Sequence, residues 1–151
     1  MALNQFAGAW KFIACEMRFP EGRVFYPFGK KPAGYIIYTE NGYMAVSMMP
    51  SGRTRVGLTI EKLAMASKLA LLRPKYLRAA YRYFKAATAF VSYAGPYEIR
   101  DNQVIHHAEV SLFPEWTGTG LIRTYEFSGN RLYLRATVPG GGIYEFVWEK
   151  T

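Results

Sequence analysis

Cysteine and histidine are nearly missing from this chain: one cysteine, Cys15, and two histidines, His106 and His107, in 151 residues. A lone thiol forms no internal disulfide, and no Cys-x-x-Cys pair or Cys/His cluster offers the ligands of a zinc site. No stretch reaches the roughly eighteen apolar residues that a membrane-spanning helix needs. The opening Met-Ala-Leu-Asn-Gln-Phe-Ala-Gly has neither the basic region nor the apolar stretch of a secretory signal. Gly-x-Ser-x-Gly is absent, and Gly140-Gly141-Gly142 precedes a strand pattern without the Lys-Ser/Thr of a phosphate loop. These absences set the expectation of a soluble, cytoplasmic, single-domain protein over residues 1–151, with no metal and no cofactor.

What the chain has in quantity is aromatic side chains: 10 Phe, 12 Tyr and 3 Trp. With half of the residues apolar and 20% charged, the composition is that of a globular domain. The aromatic and β-branched residues fall in short runs cut by turn residues about every ten positions. Such runs cover 8–19, 34–39, 43–49, 91–99, 103–111, 118–127, 131–138 and 143–149, with a ninth short strand allowed at 23–26. Asn41-Gly42 between two of them is a hairpin signal, because both residues tolerate positive φ. Asp101-Asn102 and Ser128-Gly129-Asn130 mark further turns. Short connections make neighbours antiparallel, so the expected fold is mainly β: an eight-stranded, up-and-down barrel without free edges.

Alternation suggests which side chains enter that barrel. Trp10, Phe12 and Ala14 share a face, as do Leu132, Leu134 and Ala136, and Tyr144, Phe146 and Trp148. The same parity carries Glu16 and Arg18 inward on the first strand, and Leu121, Arg123, Tyr125 and Phe127 on a later one. Charged groups on an apolar inner face are costly unless paired or reached by water. A hollow barrel is therefore expected.

The segment from about 59 to 90 breaks the pattern. Thr59 can cap a helix with Glu61 in its first turn, residues 60–72 favour helix, and Pro74 suits the first position of a second one. Seven of the chain's basic residues lie between 59 and 90 against the single acid Glu61. Lys75, Arg78, Arg82 and Lys85 share one arc of the second helix, and Tyr76, Leu77, Ala80, Tyr81, Tyr83, Phe84 and Ala87 fill the other. The reading is an inserted helical pair that covers one end of the barrel with its aromatic face. Its basic arc allows weak contact with a membrane surface. Charge confined to one segment argues against nucleic acid as a partner.

Few residues can carry chemistry. His106 and His107 are adjacent on a strand and point to opposite faces; parity with Val104, Ala108 and Val110 favours His106 as the inward one. It could act as a general acid or base, or equally be a histidine bonded within the wall. Glu16 and Arg18 could share a ligand or pair with each other. Arg123, among apolar neighbours, suits an anionic ligand or a structural pair with Glu16 or Glu109. Cys15 alternates away from the Trp10 face and reads as a buried, inert thiol.

Certain motifs resemble a known family. Gly8-Ala9-Trp10 is similar to the Gly-x-Trp opening of lipocalin-type barrels. Tyr26-Pro27-Phe28-Gly29, Gly34-Tyr35-Ile36-Ile37-Tyr38-Thr39 with Gly42-Tyr43-Met44, and Tyr93-Ala94-Gly95-Pro96-Tyr97 look like the bacterial and fungal lipocalin-like domain family. The most specific match is His106-His107-Ala108-Glu109-Val110-Ser111-Leu112-Phe113-Pro114-Glu115-Trp116-Thr117-Gly118-Thr119. The resemblance spans residues 8–148 and departs between 53 and 90, where relatives carry a shorter, more acidic helical stretch. It implies a barrel with a small-molecule cavity, and no particular reaction.

Together these readings give an expected ligand that is hydrophobic, aromatic or polyketide-like, with an acidic or carbonyl group. Its walls would come from Trp10, Phe12, Tyr38, Met44, Met48 and Tyr97, continued by Tyr125, Tyr144 and Phe146, with Arg18 as a further polar contact. Catalytic candidates are His106, Arg123, Glu16 and Tyr93, for a cofactor-independent isomerisation, cyclisation or lyase reaction. The alternative is a non-catalytic binding or carrier protein. A monomer and a homodimer are both compatible with the sequence.

Overall fold

A computed structural model describes residues 5–151. The first four residues of the stretch read as lacking a secretory signal lie outside it. The chain divides into two compact units, one formed by residues up to Ser51 together with Val91–Thr151, the other by Gly52–Phe90.

The first unit contains β1 (Gly8–Arg18), β2 (Val24–Phe25), β3 (Pro32–Tyr38), β4 (Tyr43–Pro50) and β5 (Val91–Arg100). After these come β6 (Gln103–Ala108), β7 (Val110–Ser111), β8 (Thr119–Ser128), β9 (Arg131–Thr137) and β10 (Ile143–Lys150). Eight long strands run β1-β3-β4-β5-β6-β8-β9-β10 around a single antiparallel sheet, and β10 pairs back onto β1 from Trp10↔Lys150 to Arg18↔Ile143. Closure leaves every one of them paired on both sides, so the barrel offers no free edge. The short ninth strand is β2, which pairs with the end of β1.

Two glycines let neighbouring backbones approach closely. The strand expected over 103–111 divides at Glu109 into β6 and β7, and β7 pairs with the start of β5. Gly95 permits this, because a Cβ there would collide with the backbone carbonyl of His107. Gly34 has the same role against the backbone of Ser47 on β4. The turns follow the sequence signals: Gly42 has φ 87°, and Asp101, at φ 51°, is the one described non-glycine residue with positive φ.

A β-bulge corrects the expected parity of β1. Its register with β10 jumps between Phe12 and Ala14, so two residues of β1 occupy the space of one. Trp10 and Phe12 face the core as expected, but beyond the bulge Cys15 is the buried residue. Glu16 and Arg18 are thereby turned to the outer face, where they pair with each other at 2.9 Å and the Arg18 side chain is 63% exposed. The other inner faces follow the alternation. Ile36 and Tyr38 of β3, Met44, Val46 and Met48 of β4, Tyr93 and Tyr97 of β5, and Leu132 and Leu134 of β9 are all buried.

The second unit holds three helices rather than the expected pair: α1 (Ile60–Ala64), α2 (Lys68–Leu71) and α3 (Pro74–Thr88). The Thr59 hydroxyl accepts from the Lys62 amide, capping α1, and Pro74 opens α3. What ends the first helix early is Ser67, whose hydroxyl accepts from the Ala70 amide and starts a new helix there. Tyr83 donates to the Leu58 carbonyl at 2.7 Å, tying α3 to the segment before α1. The α3 face formed by Tyr76, Ala79, Tyr83 and Ala86 is buried or half-buried. Leu77, Tyr81 and Phe84, expected on that covered face, are exposed. Their arc lies beside it rather than within it.

Candidate functional site

One end of the barrel is filled with rings. Phe6 is fully buried, with ring centroids 5.0 Å from Tyr38, 4.9 Å from Tyr125 and 5.0 Å from Phe127. These partners come from the closing ends of β3 and β8. The Phe6 carbonyl accepts the Trp10 indole N–H at 2.7 Å, and Tyr97 donates to the Thr39 carbonyl at 3.1 Å. Toward the other end the inward side chains stay only half-buried: Leu121 and Arg123 early in β8, Tyr144 and Phe146 early in β10, Met17 late in β1. Water still reaches these inward groups.

Between these regions sits His106, 1% exposed, with both ring nitrogens engaged. The Tyr38 hydroxyl lies 2.8 Å from Nε2 and the Tyr93 hydroxyl 3.0 Å from Nδ1. Burial first, then the positive charge of Arg123, pushes the His106 pKa down to about 3, so the ring is neutral at pH 7. A neutral imidazole has one donor and one acceptor. One tyrosine therefore donates to the ring, and the other accepts from it and keeps its own proton for a different acceptor. Burial also raises both phenols, Tyr38 well above the usual tyrosine value, while Arg123 opposes the rise at Tyr93, whose hydroxyl it approaches.

Arg123 supplies the charge of this cluster. Its guanidinium donates to the Ile122 carbonyl at 2.9 Å and stands 5.9 Å from the centre of the Phe146 ring. Among the described residues it forms no ion pair, because Glu16 is bound to Arg18 on the outer face and Glu109 is exposed. The structure thus brings His106, Tyr93, Tyr38 and Arg123 together and leaves Glu16 and Arg18 outside. Trp10, Phe12, Met44, Met48 and Tyr97 are buried in the core; Tyr125, Tyr144 and Phe146 are half-buried against it.

His107 faces the other way, with Nε2 3.0 Å from Glu98 Oε1; this bond and Arg100 hold the Glu98 carboxyl below its usual pKa. The Cys15 thiol is pushed up to about 12 by burial, and then by Glu16, which keeps it protonated and inert. Trp148 Nε1 is the one buried side-chain polar atom without a hydrogen-bond partner among the described residues.

Sequence reasoning missed Phe6 and Trp116. The Trp116 ring lies edge-on to Tyr93 at 5.8 Å, held by a 3₁₀ turn over Pro114–Trp116. Ser111 accepts from the Phe113 amide, and Thr119 donates to the Trp116 carbonyl. The long motif from His106 to Thr119 therefore has a local purpose: it presents His106 inward and folds Trp116 onto the tyrosine beside it. In the helical unit, residues 53–62 with Tyr83 and Ala86 line an open depression of about 650 Å³ that includes no histidine or cysteine.

A family model described as a lipocalin-like domain matches residues 7–145. The chain belongs to the lipocalin-like domain family. Its barrel is of the kind that accommodates small molecules. No curated protein matches the chain in sequence. Among solved structures, it is similar to a redesigned β-barrel (8% identity, covering 99% of this chain and 95% of that one, TM-score 0.43). It is also similar to a de novo designed fluorescence-activating β-barrel (12% identity, 99% and 97% covered, TM-score 0.44). A third is an uncharacterized protein from Bacteroides eggerthii (13% identity, 97% and 99% covered, TM-score 0.43).

Proposed function

We infer that the barrel of this lipocalin-like protein binds a hydrophobic small molecule, aromatic or polyketide-like, through an acidic or carbonyl oxygen held by Arg123. The observation that carries this reading is Arg123 itself: an inward guanidinium beside the Phe146 ring, with no carboxylate partner among the described residues. A partly buried cation of this kind gains most from a charge-assisted bond to an anion. Half-buried Tyr144, Phe146 and Leu121 supply apolar wall around it. Tyr93 adds a second donor when Tyr38 donates to His106 Nε2 and Nδ1–H donates to the Tyr93 oxygen. The phenol proton of Tyr93 is then left for the ligand.

Fluorescence titration with anilinonaphthalene sulfonate, an anionic aromatic probe, tests the assignment. Arg123→Met is expected to weaken binding about ten- to a hundredfold, as loss of a charged hydrogen bond does. Tyr81→Ser/Phe84→Ser, in the helical unit, leaves it unchanged. Equal affinity of wild type and Arg123→Met overturns the assignment.

The linked Tyr93, His106 and Tyr38 favour a catalytic second reading, a cofactor-independent isomerisation or cyclisation. Water would take the α-proton while Arg123 stabilises the developing enolate oxygen and Tyr93 donates to it, and the carbon would then take a proton back from water. His106, enclosed between two hydroxyls, is then a positioning residue acting through Tyr93. Proton NMR of 2-tetralone in deuterium oxide reads this directly: α-proton exchange faster than in buffer, and slowed by Tyr93→Phe at unchanged affinity, is the catalytic result. Exchange at the buffer rate leaves binding alone.

A further inference from the structure

We propose that the helical unit docks on the surface of anionic lipid bilayers through the exposed face of α3. Leu77, Tyr81 and Phe84 recur at i, i+4 and i+7, which puts them in one stripe along the helix. They are 55%, 61% and 66% exposed. Beside this stripe, on the same wheel, Lys75, Arg78, Arg82 and Lys85 form a second row. The third sector is the buried face of Tyr76, Ala79, Tyr83 and Ala86. The outer surface of α3 therefore carries an apolar row and a basic row side by side. Met65, Leu69 and Leu72, in and just after α1 and α2, add exposed aliphatic groups.

Charge identifies the occupant. Gly52–Phe90 contains nine basic residues and one acidic residue, while the rest of the chain has ten of each. The whole positive charge of the protein thus resides in 39 residues that also expose their large apolar side chains. A second copy of this chain would bring an equally cationic face and be repelled. Nucleic acid would satisfy the cations and could stack on Tyr81 and Phe84, but it would leave the aliphatic Leu77, Met65, Leu69 and Leu72 uncovered. A membrane rich in acidic lipid satisfies both rows. The apolar stripe sinks to the boundary of the acyl chains, and Lys and Arg stems reach along it to the phosphates. None of the described helices is long and apolar enough to cross the bilayer, so α3 lies in its plane.

Co-sedimentation of the full chain with vesicles of phosphatidylcholine alone, and of phosphatidylcholine with 30% phosphatidylglycerol, tests the proposal. Binding is expected to the acidic vesicles only, and to weaken at least tenfold between low salt and 0.5 M salt. Arg78→Gln/Arg82→Gln/Lys85→Gln lowers partitioning about a hundredfold, since each basic residue near such a surface contributes about fivefold. Tyr81→Ser/Phe84→Ser lowers it at least tenfold, with the anilinonaphthalene sulfonate affinity of the barrel kept as the sign of an intact fold. Binding that ignores lipid charge overturns the proposal, as does acidic binding that survives loss of both rings. Absence of vesicle binding overturns it too, whether the chain then dimerises in sedimentation velocity or is retained by a DNA oligonucleotide.

Discussion

The barrel and the helical unit treat the same residue types in opposite ways. The barrel turns most of its rings inward, balances its charges, and pairs its outer arginines with carboxylates: Arg135 bonds both Glu145, at 2.6 Å, and Glu126, at 2.9 Å. Among the described residues, Arg123 alone of its inward side chains is a cation without a carboxylate. The helical unit buries almost nothing; Ala79 is the one fully buried residue of its three helices. It leaves rings and cations together on the outside, and Lys75, Arg78, Arg82 and Lys85 form no ion pair among the described residues. The lesson is that exposure, not residue type, separates a structural aromatic from one waiting for a partner. Among the described inward groups of the barrel the departure is a single arginine; in the helical unit it is a whole exposed face.

The widest gap between the units is expected in stability. Phe12 stacks on Trp148 at 4.7 Å and meets Phe28 edge-on at 5.3 Å. Phe12→Ala should cost about 3–5 kcal/mol in urea unfolding followed by tryptophan fluorescence. Phe84→Ala, which removes the same ring from an exposed helix face, should stay within about 0.5 kcal/mol. Similar costs at the two sites would erase the distinction.

A second test concerns the buried histidine. His106 is neutral in both folded and unfolded chains at pH 7. Below pH 6.5 only the unfolded chain takes up the proton, until the folded pKa of about 3 is reached. Stability is therefore lost as pH falls through this window, by up to about 1.4 kcal/mol per pH unit from this group. Urea midpoints from pH 7 to pH 4 should fall more steeply for wild type than for His106→Asn. Parallel profiles would place the histidine in contact with water.

The smallest effect sharpens the helical side of the comparison. Ser67→Ala removes the cap of α2 and should cost about 1 kcal/mol locally. Hydrogen exchange would register it as roughly fivefold faster exchange in residues 68–72, with barrel amides unaffected. Slowed exchange, or an effect spread into the barrel, would contradict the boundary between the units.

Most of the barrel was legible in the sequence because alternation and turn residues are local signals, and the inward set of β8 shows it. Leu121, Arg123, Tyr125 and Phe127 lie where parity puts them. Parity failed on β1 because one extra residue near Ile13 reverses every side chain beyond it, and nothing in Phe12-Ile13-Ala14 announces a bulge. Glu16 and Arg18 were misplaced for that reason alone. The relay at His106 was half legible: its inward face follows from alternation, but its tyrosine partners come from 68 and 13 positions away. Pairings of that range depend on closure of the sheet. The aromatic face of α3 misled differently, since a helical wheel shows which residues share a side and never whether that side is covered.

Central to the account is an arginine inside the barrel that lacks an anion, and calorimetric titration of two matched ligands addresses it most directly. 2-Naphthoate and 2-naphthalenemethanol share a ring system and differ in charge. Wild type should prefer the carboxylate by about ten- to a hundredfold, and Arg123→Met should bind both alike. A variant that keeps the wild-type preference for the carboxylate would contradict the account.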